Sequence, residues 1–276
     1  MKENISLLGS LALAGLTLVG CQKPAEKTAA TTANSTAAST TASSTETSSS
    51  MAGKTIRIAT EGTYKPFSIT KADGSLTGFD VDCMQALCAE MKANCEIKPQ
   101  DWDGLIPGLQ AQKYNAIMAG MSDTAERRQV VAFSDPYFTN NLVVIGKKGV
   151  EKGADDLAGK SVGAQRSTTA AEYLAKNFPK ATPKLYDTQD NAYLDLESGR
   201  TDLMISDSAP ALSWLKTAKG QGFEVKGQPI NIDDKIAIAF RQNDPLIGKF
   251  NTALAALKAN GTYDKISQKY FADLPK

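Results

Sequence analysis

The side chains that could do chemistry in this chain are carboxylates, guanidinium groups, hydroxyls and thiols, because its 276 residues include no histidine. Histidine is the most common general base and metal ligand, and it activates the nucleophile in Ser-His and Cys-His pairs. Its absence argues against hydrolases and against zinc sites. We also expect no catalytic residue, no metal and no cofactor, and we expect that the chain is not an enzyme.

The charges of the chain are balanced, with 31 Lys and Arg residues against 30 Asp and Glu residues. Such a chain has no excess of positive charge that would draw it as a whole onto nucleic acid or an anionic membrane. Nucleic acid is therefore not an expected partner, and any selectivity for charge must come from a local site.

The first twenty residues predict export. Lys2 precedes an apolar run from Ile5 to Val19, which is shorter than the roughly 20 residues that a membrane-spanning helix needs. Leu18-Val-Gly-Cys21 resembles the lipobox of bacterial lipoproteins, which implies a signal peptide over residues 1–20 and a lipid on Cys21. The alternative is an ordinary signal peptide followed by an incidental cysteine.

Residues 21–53 are expected to tether this anchor to the folded part. From Lys23 to about Ser50 they are almost all Ala, Thr and Ser, with no large apolar side chain whose burial could offset the entropy of ordering. A lipid at one end and a folded body at the other suit a protein that works beside a membrane. We expect an exported protein in the periplasm or at the cell surface, anchored to the membrane.

The folded part is expected to alternate strands and helices. Thr55–Thr60 alternates apolar and polar residues, which predicts a strand, and apolar residues at helical spacing predict a helix after Asp80, its proposed N-cap. A second helix is expected from Asp103, followed by a strand at 116–119. This alternation is typical of an α/β domain with a largely parallel sheet.

A weak internal repeat indicates that the α/β unit occurs twice. Ala52-Gly-Lys-Thr-Ile returns as Ala158-Gly-Lys-Ser-Val, and the segments 113–118 and 200–205 each lead to a Ser-Asp pair. Two similar lobes are the simplest interpretation.

The body resembles family 3 of the bacterial extracellular solute-binding proteins, and within that family the arginine-binding and lysine/arginine/ornithine-binding proteins. The likeness covers nearly all of residues 54–272 and rests on Glu61 to Phe67, Gly78-Phe-Asp-Val-Asp, Asp101 to Leu109, Met121 to Arg128 and Ala132 to Tyr137. It implies a type II periplasmic-binding-protein fold, with two α/β lobes joined by two hinge strands and a ligand cleft between them. Lobe one would comprise residues 54–140 plus 236–276, and lobe two residues 141–235.

The resemblance implies that a free amino acid binds in the cleft. Arg127 matches the family's arginine for the ligand's α-carboxylate, which a planar guanidinium can bind through two hydrogen bonds. Thr168 and Thr169 match a Thr pair at the start of a helix, where backbone N–H groups favour an anion, and Gln165 precedes them. Ser167 stands where many members of the family have glycine.

Asp207 matches the family carboxylate that accepts the ligand's α-ammonium group. The Gly120 carbonyl and the Ser122 hydroxyl would complete that part of the shell.

Three further residues would select the ligand's side chain. Glu61 would pair with a distal guanidinium or ammonium group, while the rings of Tyr64 and Trp102 pack on its aliphatic stem and face its charge. This set favours arginine, lysine or ornithine over glutamine or glutamate. Trp102 could instead belong to the core, and Tyr64 to the surface of a lobe.

The same resemblance implies a disulfide between Cys88 and Cys95, which the oxidising environment of an exported protein would maintain. Cys83 is left over, and we expect it to be a buried apolar thiol.

These expectations describe a lipid-anchored monomer that captures a cationic amino acid by lobe closure for an ABC transporter, whose permease and ATPase are its partners. A neutral polar amino acid such as glutamine is the alternative ligand. A cyclohexadienyl dehydratase-like enzyme on the same fold and a signalling domain are the alternative classes of function. The lipid anchor and Glu61 argue against the enzyme.

Overall fold

The computed structural model describes residues 51–150 and 157–274. The expected signal peptide, the lipidation site at Cys21 and nearly all of the tether lie outside these residues. Within the two described ranges, helices fall short of the length and apolar character that a bilayer crossing requires.

The described residues form short strands and helices that alternate along the chain. In chain order the strands are β1 (Thr55–Thr60), β2 (Thr63–Tyr64), β3 (Ser68–Thr70), β4 (Leu76–Thr77), β5 (Asn94–Pro99), β6 (Ala116–Ile117), β7 (Ala132–Phe133), β8 (Phe138–Lys147), β9 (Ser161–Gln165), β10 (Thr182–Tyr186), β11 (Leu203–Asp207), β12 (Phe223–Ile236) and β13 (Ala239–Phe240). The α-helices are α1 (Phe79–Glu90), α2 (Leu105–Gln110), α3 (Thr169–Asn177), α4 (Gln189–Glu197), α5 (Ser208–Leu215), α6 (Leu246–Ala259) and α7 (Thr262–Phe271).

These strands build two five-stranded sheets and one small sheet. The first sheet has the order β5-β1-β6-β13-β7, the second has the order β10-β9-β11-β8-β12, and β2, β3 and β4 form the small sheet. β1 pairs in parallel with β5 and β6, and β9 pairs in parallel with β10 and β11. β1 and β9 follow the two copies of the repeated Ala-Gly-Lys segment, so the repeat in sequence corresponds to a repeat in topology. The predicted α/β class is confirmed.

The central strands of each large sheet are buried on both faces, which explains the apolar residues at successive positions of β8 and β11. On β8, Leu142 and Val144 pack in a core with α3, whereas Val143 and Ile145 pack in a core with α4 and α5 on the opposite face. The first sheet is covered likewise, by α1, α6 and α7 on one face and by α2 on the other.

Strands β8 and β12 connect the two cores. They run antiparallel for most of their length in the second sheet, and their last pair, Phe138 opposite Ile236, packs in the core of the first sheet. Two strands that pass between the cores are the element expected of a hinge. The lobe boundaries at residues 140/141 and 235/236 stay a prediction.

The predicted strands and helices agree with the structure in part. β1 has the predicted bounds, but the expected strand at 116–119 is limited to Ala116–Ile117, and a 3₁₀ turn (Trp102–Gly104) precedes α2. The proposed N-cap role of Asp80 is wrong. Gly78 is the N-cap of α1, with a φ of 132° that only glycine adopts readily, and a side chain there would collide with the Phe67 carbonyl.

The three cysteines of the described residues are placed as expected. Cys88 and Cys95 form a disulfide that links α1 to β5, with their Cα atoms 6.1 Å apart. The Cys83 thiol is buried in the core of the first sheet.

Candidate ligand-binding site

One pocket lies where loops of the first sheet meet loops of the second sheet. Its lining consists of the ten residues that the sequence singled out as ligand-binding: Glu61, Tyr64, Trp102, Gly120, Ser122, Arg127, Gln165, Thr168, Thr169 and Asp207. Most of them end or follow a strand of one of the two sheets. The carboxyl ends of parallel strands are where open α/β sheets expose loops and helix N-termini to ligands.

The second sheet contributes a capped helix start. Thr168 is the N-cap of α3; its hydroxyl accepts a hydrogen bond from the Ala171 amide at 3.2 Å and donates one to the Gln165 carbonyl at 2.7 Å. This arrangement holds Thr169 and the first amides of α3 at the edge of the pocket, where the helix dipole favours a negative group. Ser167 adopts a φ of 57°, so it has the left-handed backbone for which glycine is usual.

Arg127 is buried beside this helix start, with 9% of its surface exposed. Its Nη1 donates to the Ser122 carbonyl at 2.8 Å and its Nη2 donates to the Ser167 carbonyl at 3.0 Å, across the pocket. The guanidinium carbon lies 5.3 Å from the centre of the Trp102 ring. Burial lowers the pKa of Arg127, although arginine keeps its proton in proteins. A guanidinium with five N–H donors retains capacity for an anionic ligand group.

Glu61 is a buried carboxyl group that forms no ion pair with a Lys or Arg side chain among the described residues. Its Oε1 accepts hydrogen bonds from Gln165 Nε2 at 2.7 Å and Thr63 Oγ1 at 3.0 Å. Its Oε2 is buried and has no hydrogen-bond partner within the described part of the chain. Burial raises the pKa of Glu61 to about 7, an effect that these two hydrogen bonds oppose. The raised pKa and the unpartnered oxygen have the same cause, which is the burial of the carboxyl group away from solvent.

Asp207 ends β11 and joins the two sides of the pocket. It accepts a short hydrogen bond from the Tyr64 hydroxyl and a 2.8 Å hydrogen bond from Asn140 Nδ2. Burial raises the pKa of Asp207 to about 6, while the hydrogen bond from Tyr64 acts in the opposite direction. Tyr64 is itself buried, so it does not lie on the surface of a lobe.

Trp102 is both a pocket residue and a core residue. Its ring is half-buried against the apolar cluster around α2, and its Nε1 donates to the Ser167 carbonyl at 3.1 Å. Trp102 and Arg127 therefore share one acceptor on the opposite side of the pocket.

Three buried polar residues next to the pocket were missed. Asn140 and Asp234 lie on the paired strands β8 and β12, and neither belongs to a motif whose spacing would have indicated a site. Asp80 accepts a hydrogen bond from the Gly120 amide at 2.8 Å, and burial raises its pKa to about 7. Its place in the Gly78-Phe-Asp motif was visible, but its partner 40 residues later was not.

An ion pair at the rim was also missed. Arg166, just before Ser167, contacts Asp187 on its own side and lies 3.0 Å from Asp103 on the other side of the pocket. Within the two described ranges, no three His, Cys, Asp or Glu side chains gather in a way that could hold a metal ion.

The likeness to known proteins extends over the whole body. Residues 56–273 match the family of bacterial extracellular solute-binding proteins, family 3. The chain is 40% identical over 223 residues to ABC transporter arginine-binding protein 1 of Escherichia coli K12, an alignment that covers 80% of this chain and 92% of that protein. It is 35% identical over 228 residues to the lysine/arginine/ornithine-binding periplasmic protein of the same organism, which covers 79% of this chain and 88% of that one.

A solved structure shows the same architecture. The arginine-specific periplasmic binding protein of Salmonella typhimurium aligns with a TM-score of 0.75 and 35% identity over 79% of this chain and 100% of that one. All three relatives are binding proteins rather than enzymes. The predicted type II periplasmic-binding-protein fold is confirmed. From its sequence match and its architecture alike, the chain belongs to the bacterial extracellular solute-binding proteins of family 3.

Proposed function

We propose that the chain binds a free cationic amino acid, either arginine, lysine or ornithine, in the pocket and passes it to an ABC uptake transporter. The observation that carries this proposal is the buried Oε2 of Glu61, which has no hydrogen-bond partner in the described residues. A buried charge without a partner is destabilising. A guanidinium or ammonium group of a ligand would supply the missing partner, and the rings of Tyr64 and Trp102 would pack along the ligand's aliphatic stem.

The α-carboxylate of the ligand would bind Arg127 and the start of α3. The guanidinium is held by the Ser122 carbonyl on its own side of the pocket and by the Ser167 carbonyl on the other side, and these two bonds orient it beside the start of α3. The Thr169 hydroxyl and the free amides at the start of α3, the helix that Thr168 caps, would add neutral donors. Neither oxygen of Glu61 is paired with Arg127, so the pocket keeps its positive and negative groups available for opposite ends of one ligand.

The α-ammonium would bind Asp207, with the Gly120 carbonyl and the Ser122 hydroxyl as further acceptors. Asp207 accepts two hydrogen bonds from the protein, and an ionised carboxylate has about four acceptor positions, which leaves room for a ligand N–H group.

The relatives support this choice of ligand and of partner. Two of them bind arginine, the third is named for lysine, arginine and ornithine, and one is by name part of an ABC transporter. By analogy, residues 54–140 with 236–276 and residues 141–235 would be two lobes that close on the ligand, and the closed form would be recognised by the permease and ATPase. We further propose that the protein is a monomer, exported to the periplasm or cell surface and held at the membrane by a lipid on Cys21.

The test is isothermal titration calorimetry of the purified protein with free amino acids. Arginine, lysine or ornithine should bind, and Arg127→Ala should abolish measurable binding, because an unpaired ligand carboxylate would be buried. Tight binding of glutamine alone would replace the proposed ligand class. Unchanged arginine affinity in Arg127→Ala would contradict the proposed site, and turnover of prephenate or arogenate would show an enzyme instead.

A further inference from the structure

The two hinge strands place a pair of buried polar side chains directly opposite each other. Asn140 on β8 is paired in register with Asp234 on β12, and their exposed fractions are only 1% and 6%. Strands that only connect two cores can be apolar throughout. A buried amide that faces a buried carboxylate therefore indicates a role beyond connecting the cores.

A backbone irregularity accompanies Asp234. The register of β12 against β8 shifts between Ile230 and Asp234, and Asp233 adopts a φ of 50°. Within this irregular stretch the two neighbouring carboxylates are in opposite environments: Asp233 is exposed and pairs with Lys235 at 2.8 Å, whereas Asp234 is buried. Bulges of this kind commonly redirect a side chain beside a binding site.

The buried pair is connected to two pocket residues. Asn140 Nδ2 donates to Asp207 at 2.8 Å and to Asp234 at 2.9 Å, and Ser122 Oγ donates to the same oxygen of Asp234 at 3.0 Å. Asn140 and Asp234 thus contact both a carboxylate and a hydroxyl that the proposed function assigns to the ligand's α-ammonium.

The charge of this network is not balanced by its own members. Asp207 and Asp234 share one neutral amide as a donor, and the negative charge of Asp234 contributes to the raised pKa of Asp207. The other amide atom, Asn140 Oδ1, is buried and has no hydrogen-bond partner within residues 51–150 and 157–274. Two buried carboxylates beside an unused acceptor form an environment that favours a cation with several N–H donors.

We propose that Asn140 and Asp234 are positioning residues of the α-ammonium site. Asn140 orients Asp207 by donating a hydrogen bond to it. Asp234 accepts a hydrogen bond from Ser122 and adds a second negative charge. Together the two residues orient Asp207 and Ser122 toward the ligand's amine. This inference rests on the proposed function, because it assumes an amino acid ligand in this pocket.

The experiment compares two ligands that differ only in the amine. Dissociation constants are measured for arginine by calorimetry and for 5-guanidinopentanoic acid, which is arginine without its α-amino group, by displacement. We expect Asp234→Asn and Asn140→Ala each to weaken arginine binding by roughly 10- to 100-fold, the range for a hydrogen bond to a charged group, and to weaken the analogue by less than about threefold. Asp233→Asn removes an adjacent exposed charge from the same strand and should leave both constants unchanged.

Equal losses for both ligands would mean that the residues only support the fold, and no loss for arginine would mean that they play no part; either result overturns the inference. A second comparison needs no analogue. If Asp234 acts through Asp207, the double variant Asp207→Asn/Asp234→Asn should have an arginine dissociation constant within about twofold of that of Asp207→Asn alone. If the two carboxylates act independently, the losses in binding free energy should add. The Asn140→Ala variant keeps both carboxylates and provides the test if Asp234→Asn does not fold.

The outcomes separate this inference from the proposed function. If the wild-type protein binds no cationic amino acid but binds glutamine, the proposed ligand class fails, and the same comparison is made with glutamine and its desamino analogue. If the wild-type protein binds arginine and the variants show no selective loss, only the inference fails.

Discussion

Gln165 Nε2 lies 2.7 Å from Oε1 of Glu61 and joins the end of β9 in the second sheet to the loop that follows β1 in the first. The donor is a neutral amide, so it orients the carboxylate without cancelling its charge. Glu61 therefore remains available to a cation at its other oxygen, and the same contact helps to hold the two sides of the pocket together. Under the proposed function, one pair of side chains would both select the charge of the ligand and connect the two sides of the pocket.

Arg127→Lys should weaken arginine binding by roughly 10- to 100-fold although the charge is kept. A lysine ammonium can neither span the Ser122 and Ser167 carbonyls nor bind a carboxylate through two parallel bonds. Calorimetry provides the measurement. Arg128→Lys is the matched control, because Arg128 is exposed and pairs with Asp123. Wild-type affinity in Arg127→Lys would show that only the charge matters.

The affinity for arginine should fall as the pH decreases. The pKa of Glu61 is raised to about 7, and a bound cation stabilises the ionised form, so binding at pH 7 must release protons. With this group alone, binding should be roughly tenfold weaker at pH 6 than at pH 8, and Asp207, with a pKa of about 6, adds to the loss at lower pH. Calorimetry in buffers of different ionisation enthalpy counts the protons. A dissociation constant for arginine that does not change with pH, or an uptake of protons on binding, would contradict the assignment of Glu61 as the partner of the ligand's cation.

The free energy of unfolding of the protein without amino acid should change with pH in the opposite sense. Burial raises the pKa of Glu61 and of Asp80 to about 7, so between about pH 5 and pH 7 the folded state holds protons that the unfolded state has released. Stability therefore decreases as the pH rises through that range, by on the order of a few kcal/mol. The carboxylates whose pKa values are lowered are ionised in both states there and do not contribute: Asp73, Asp195, Asp202, Glu224 and Asp233.

Urea denaturation at pH 5 and at pH 8 measures this dependence. Asp80→Asn should reduce it, because the amide cannot ionise. Greater stability at pH 8 than at pH 5 would show that these carboxyl groups are not desolvated in the folded protein.

Cys21→Ser should release the protein from the membrane and leave its ligand affinity unchanged. A serine cannot receive the thioether-linked lipid, while the binding pocket is built from residues 61–207. Detergent phase partitioning of cells that express each form is the measurement. Partitioning of the wild-type protein into the aqueous phase would favour the ordinary signal peptide and an incidental cysteine, and partitioning of Cys21→Ser into the detergent phase would place the anchor elsewhere than Cys21.

Sequence patterns predicted the parts of the fold and pocket that depend on local order. Alternation was sufficient for Thr55–Thr60, and the pocket residues could be found because they stand in segments that resemble family 3 solute-binding proteins. Asn140 and Asp234 are 94 residues apart, and only the antiparallel pairing of β8 with β12 brings them together. Asp80 was misread for a related reason. An acidic residue before an apolar stripe looks like an N-cap, whereas its carboxylate bonds to Gly120 in another loop.

The most direct test of the account compares arginine with citrulline, its neutral near-isostere, in the wild-type protein and in Glu61→Gln. We expect the wild-type protein to bind arginine roughly 10- to 100-fold more tightly than citrulline in calorimetry at pH 8, because only arginine supplies a cation to Glu61 Oε2. Glu61→Gln should remove most of that preference. A wild-type protein that binds the two ligands equally, or a variant that keeps the full preference for arginine, would contradict the account.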